Sequence, residues 1–120
     1  MFDKNYLLLN DTTLTADKNG SAFRVHWSTE VPQVFGLVVN GTISGTSPTL
    51  DVKIQGSNDN GSNWTDIASF PQVTTSAVKK YIRVLTPFKE IRAVADAGGT
   101  SPSYGIVMCG IVPAGEGLLP

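Results

Sequence analysis

Between Leu50 and Gln55 the chain alternates without a break: Leu50, Val52 and Ile54 are apolar, while Asp51, Lys53 and Gln55 are polar. A two-residue period sends alternate side chains to opposite faces, so this stretch predicts a strand with one face in a core and the other in water. The same period marks residues 22–27, where Phe23, Val25 and Trp27 oppose Arg24 and His26. Residues 33–43 form a longer run with Phe35, Leu37, Val39 and Ile43 on one side, and residues 64–70 give a shorter candidate. Residues 79–88 and 90–96 predict a strand or strand pair, bent or broken at Pro87. The last run, 103–112, is apolar almost throughout and has no wet face: it carries Gly105, Val107, Cys109 and Ile111. Such a strand needs cover on both sides, from the N-terminal segment or from a neighbouring subunit. Helical periodicity is nearly absent. Seven or eight short strands with turn signals every ~8–12 residues predict an all-β fold, an antiparallel β-sandwich of jelly-roll type. Residues 1–20 are expected to be an N-terminal arm or first strand, 21–112 the sandwich domain, and 113–120 a tail.

One turn signal is written twice. "GTSPTLDVKIQG" starts at Gly45 and "GTSPSYGIVMCG" at Gly99. Proline presets φ and removes a donor, which suits a strand start and not a ladder interior. Gly45 and the Gly98-Gly99 pair supply the positive φ of a reversal. The expectation is two matching hairpins, 33–43 with 49–56 and 90–97 with 103–112, in which Pro48 and Pro102 are structural turn residues.

Composition narrows the function classes. A chain of 120 residues is one domain by size and buries a core without staples. Its formal net charge of −1 is the wrong sign for electrostatic nucleic-acid binding. A single cysteine, Cys109, forms no intrachain disulfide and sits in an apolar run, as a small core residue does. The opening "MFDKNYLLLN" lacks a basic n-region followed by a long apolar core, so a secretory signal is not expected, and no stretch approaches the ~18 apolar residues of a membrane helix.

The candidate chemistry is sparse. "SNDNGSNW", residues 57–64, fits the S-x-D-x-G-x-x-W pattern of the Asp-box. In that device the Ser57 and Asp59 positions bond turn backbone, Gly61 takes the turn and Trp64 packs beneath the hairpin, so these four are expected as structural turn residues. One copy cannot make a propeller. The oxygens of Asn58, Asp59, Asn60 and Asp66 lack EF-hand spacing and a bidentate Glu, so a hydrogen-bonded turn is preferred to a calcium loop. His26, the one histidine, has no nucleophile set beside it by any motif, and Asp51, Asp59 and Asp66 sit in turns and on a wet face. No catalytic residue, cofactor or metal is expected.

Three blocks carry a resemblance that covers residues 20–112: "SGTSPTLDVKIQGSNDNGSNWTDIASFPQVT" from Ser44, "KKYIRVL" from Lys79 and "GGTSPSYGIVMCGIV" from Gly98. Together they resemble a family of small virion proteins of tailed phages, in which the wording G-T-S-P-T-L-D-V-x-[IL]-Q-G-S-x-D-G-x-x-W is followed by a Y-[IL]-R-V strand and a second G-T-S-P. The chain departs from it at Asp59-Asn60-Gly61, where Asp-Gly is commoner, and in the glycine and cysteine of the last strand. The resemblance implies a virion structural protein of the capsid decoration (cement) type, made in the host cytoplasm. Its implied partners are the major capsid protein and copies of itself, as a homotrimer, with no nucleic acid or membrane. The apolar "NYLLLN" run puts Tyr6, Leu7, Leu8 and Leu9 forward as contacts to capsid or neighbouring subunit. The rival readings are a carbohydrate-binding adhesin module using Trp27, Tyr81 and Tyr104, and a tail or adaptor subunit.

Overall fold

A computed structural model describes residues 7–11, 13–25, 33–74, 78–85 and 88–112. Tyr6, His26, Trp27, Pro87 and the tail 113–120 lie outside the described residues. Nine strands occur among those described: β1 (Leu7–Asp11), β2 (Lys18–Asn19), β3 (Phe23–Arg24), β4 (Gln33–Asn40), β5 (Ser44–Ser57), β6 (Thr65–Ser69), β7 (Val78–Val84), β8 (Glu90–Ser103) and β9 (Ile106–Val112). Every pairing is antiparallel.

The strands form two sheets. The first has the order β1-β9-β4-β7 and the second β2-β8-β5-β6, with β3 also on β8. Since β2 and β3 share the edge of β8, they occupy one strand's place. The pairs are then nested, β1 with β9, β2 and β3 with β8, β4 with β7 and β5 with β6. This is a folded-over ribbon rolled into two four-strand layers, the jelly roll.

The alternation read from the sequence holds where it was cleanest. Leu50, Val52 and Ile54 of β5 have 0% exposure, as do Phe35, Leu37 and Val39 of β4 and Val107 and Cys109 of β9. Ile91, Ala93 and Ala95 of β8 complete the inner face of the second sheet. Each large side chain so buried contributes ~1.5–3 kcal/mol of transfer free energy. Leu14, Phe70, Val73 and Tyr104 plug the space from outside the strands.

The matched hairpins are not what forms. β4 and β9 lie in the first sheet, β5 and β8 in the second, so both GTSP segments follow or precede a crossing between layers. Each segment lies inside a 14-residue strand. The two pair with each other, Ser44 opposite Ser103, Thr46 opposite Thr100 and Thr49 opposite Gly98, with irregular register on both sides of Thr46. Pro48 and Pro102 therefore belong to facing β-bulges, not hairpin turns. A bulge leaves some donors unpaired, which is how a strand tolerates proline.

The N-terminal segment is also placed differently from one expectation. β1 extends the first sheet beside β9, Leu9 opposite Cys109 and Asn10 opposite Met108, and does not lie over its face. Leu8 and Leu9 are core residues at 1% and 2% exposure.

The thiol of Cys109 tests the packing. Burial pushes its pKa far above the ordinary range. Native protein is expected to resist an aromatic disulfide reagent, with labelling that accelerates in step with urea unfolding. Immediate stoichiometric labelling in native buffer would contradict the placement of β9.

Candidate functional site

Three places gather the residues singled out in the sequence: the β5–β6 turn, the paired GTSP bulges, and the outer face of the first sheet. The turn forms as its motif requires. The Ser57 hydroxyl donates to Asp59 Oδ1 at 2.7 Å and accepts from the amides of Asp59 and Gly61 at 3.3 and 3.0 Å. Asp59 accepts from Asn63 twice, from the amide at 2.9 Å and from Nδ2 at 2.8 Å. Asn60 and Gly61 take positive φ, 59° and 85°, which closes the reversal. Trp64 is half-buried, and the Arg92 guanidinium lies 4.3 Å from its ring centroid. Arg92 is steered there by a bond from Nε to Gln55 Oε1 at 2.9 Å. Neither Asn63 nor Arg92 was singled out from the sequence. Asn63 sits at a free position of the motif, and Arg92 comes from another strand.

This loop is saturated rather than open. The Asn63 side chain, the Asn63 amide and Ser57 hold Asp59 down to about 2 from an ordinary 3.8. Asp66 faces elsewhere, accepting from Gln55 at 2.8 Å and Lys53 at 3.2 Å, and both partners lower its pKa. The two carboxylates thus serve separate networks. Among the described residues no group of three His, Cys, Asp or Glu side chains is placed to hold a metal.

The GTSP bulges repeat one conformation. Gly45 and Gly99 have φ of 113° and 100°, and Ser47 and Ser101 both have φ of 50°. A methyl group on Gly45 would stand 2.8–2.9 Å from the Thr100 and Ser101 carbonyls and Pro102 Cα. One on Gly99 would stand 2.7–3.0 Å from the Thr46 and Ser47 carbonyls and Pro48 Cα. Each glycine is required twice over, by its φ and by the close approach of the other copy's backbone. Tyr104 closes the arrangement from within: its hydroxyl is shared between the carbonyls of Thr49 and Gly98, the latter at 2.9 Å. Tyr104 has 0% exposure, so its ring offers no sugar platform. Burial raises the pKa of its phenol.

The N-terminal contact residues divide. Leu8 and Leu9 are spent in the core, Leu7 is half-buried opposite Gly110, and Tyr6 is among the residues not described. The cleft bounded by Leu7–Asn10 and Lys18–Ser21 measures 150 Å³, below the ~300–1,000 Å³ of small-molecule sites.

The outer face of the first sheet is apolar. Ladder pairing places Val38 beside Met108 on one side and Lys79 on the other, and Gly36 beside Tyr81. Tyr81, Leu85 and Ile106 are the exposed large hydrophobic residues among those described, at 38%, 49% and 39%. All three belong to this sheet or to the residue following β7. No family model matches the chain, and neither a curated protein nor a solved structure matches it.

Two outcomes test these assignments. Tyr104→Phe removes the one hydroxyl donor shared by the carbonyls of half-buried Thr49 and Gly98 and is expected to cost ~1–3 kcal/mol in urea unfolding; an unchanged midpoint would remove the bracing role. Asp59 has a depressed folded pKa, so the turn's contribution is complete above about 3.8 and lost as pH falls through about 2. Carboxyl carbon NMR is expected to show that low midpoint, moving upward in Asn63→Ala; a midpoint near 3.8 in the parent would contradict the network.

Proposed function

We propose that this chain is a structural protein of a tailed-phage virion, acting on the head as a decoration protein that binds the capsid exterior and stiffens it. The wording that supports this reading most directly is G-T-S-P-T-L-D-V-K-I-Q-G-S-N-D-N-G-S-N-W, from Gly45 to Trp64. Its residues build a braced strand and a sealed turn, which is what a protein that works by holding shape requires. The jelly roll suits the same role, being an architecture shared by viral coat and lectin domains. In this reading the chain carries no chemistry of its own. Many modest contacts, repeated by the symmetry of the shell, add through avidity and oppose internal pressure. The expected partners are the major capsid protein and further copies of the chain, arranged as a trimer about three-fold positions.

The sugar-binding alternative loses one of its three rings to the core at Tyr104; Tyr81 stays exposed on the first sheet, and Trp27 lies outside the described residues.

Purified particles provide the test. The protein is expected at a copy number that follows the capsid lattice. Particles lacking it are expected to release DNA at a lower temperature, with recovery on adding the purified chain. A copy number matched to the tail, or no recovery, would overturn the head assignment.

A further inference from the structure

We propose that the outer face of the first sheet docks on a second copy of this chain, which presents to it the Asp17, Asp51 and Asp96 carboxylates on the outer side of its second sheet. The argument begins with the apolar surface. Ile106 and Met108 on β9, Val38 on β4 and Tyr81 on β7 are neighbours across the ladders, and Leu85 continues the β7 side. An apolar cluster of this kind, rimmed by charge, is the make-up of an interface.

Along β7 the rim is cationic, while the anion among this sheet's described residues, Asp11 of β1 at the opposite edge, is paired with Lys18. Alternation along β7 puts Lys79, Tyr81 and Arg83 on this face, and Lys80 is also exposed at the edge. The described strands β4, β7 and β9 contain no Asp or Glu. Lys79, Lys80 and Arg83 have no ion-pair partner among the described residues. A two-fold contact that stacks β7 on β7 would set cations against cations, which disfavours that arrangement.

The complementary surface is on the same molecule. On the second sheet Asp51 stands directly opposite Asp96, and Asp17 lies beside them, accepting from the amide of Ala97 at 2.7 Å. The nearby cation Lys53 is already paired with Asp66. Asp96 has a raised pKa, chiefly because the Asp17 carboxylate is close and then because of burial, with Asp51 adding a further push. Asp51 accepts from the neutral Gln72 amide at 3.1 Å and Asp17 from the Ala97 amide, so neither bond brings a cation, and the crowded carboxylates gain from a neighbour's cations. The apolar cluster supplies adhesion and the charges set orientation. Because the two faces differ, the contact is head-to-tail, and repeated contacts close into a ring or extend as an array. The proposal does not depend on the virion reading.

Sedimentation velocity of the full chain at ~50 mM and ~500 mM salt tests it, since charge contacts across an exposed rim weaken as the Debye length shrinks. The parent is expected to self-associate, with affinity falling about tenfold or more at high salt. Lys79→Glu with Arg83→Glu, and separately Asp51→Lys with Asp96→Lys, are each expected to stay monomeric at concentrations where the parent associates. Their equimolar mixture is expected to associate again, because each supplies the charge the other now lacks. All four positions are at least partly exposed, and circular dichroism is expected to show parent-like folding in both variants. A parent that is monomeric throughout, reversals without effect, or a mixture that stays monomeric would overturn the proposal. Binding of a monomeric parent to heparin, lost in the Lys79 and Arg83 variant, would also overturn it by assigning the face to a polyanion.

Discussion

The backbone-to-backbone meeting of Gly45–Pro48 with Gly99–Pro102 is the constraint on which the rest of the molecule depends. Each segment bulges out of its strand with positive φ at the same two places, and each glycine admits the other segment's carbonyls to a distance no side chain would allow. Two of the crossings between layers, after β4 and before β9, leave from this point. Gly41 and Gly105 touch there, as a methyl on Gly41 would lie 3.0 Å from Gly105 Cα. Fixing the bulges therefore fixes where the ribbon rolls, and with it which strands become neighbours in the first sheet. Tyr104 ties the same spot to the core by its hydroxyl, while its amide donates to Leu14 at 2.9 Å and the Leu14 amide to Gly105 at 3.1 Å.

From that corner two unlike surfaces follow. The second sheet has a wet face in which charges answer one another: Lys53 with Asp66, Gln72 with Asp51, Arg92 with Gln55 and the Trp64 ring. The first sheet has an outer face of Val38, Tyr81, Ile106 and Met108 with cations along one edge. Among the described residues no buried side-chain polar atom lacks a partner.

The sequence made the layers legible because period-two alternation is a local consequence of the pleat. Leu50, Val52 and Ile54 went to the core as read, and the Ser57–Trp64 turn formed from residues within eight positions of one another. What the sequence concealed was long-range. Two GTSP segments look like two reversals because glycine and proline mark a bulge and a turn alike; only the pairing of β5 with β8 tells them apart. Tyr104 read as a ring for a sugar because nothing local announces carbonyls from Thr49 and Gly98. The apolar run at Leu7–Leu9 read as a contact for another subunit, yet its partner strand, β9, lies a hundred residues downstream. Arg92 over Trp64 has the same origin, a contact between β8 and the β5–β6 turn with no signature in either.

A double-mutant cycle on Gly45→Ala and Gly99→Ala, read by urea unfolding, measures the mutual dependence of the two bulges directly. Each added methyl forces the same pair of segments apart, at ~1–3 kcal/mol for the strained φ alone. The second methyl then enters a gap the first has already opened. The double variant is expected to be less destabilised than the sum of the singles by at least ~0.5 kcal/mol. Costs that add to within ~0.3 kcal/mol would mean the two segments are independent turns, and would contradict the account.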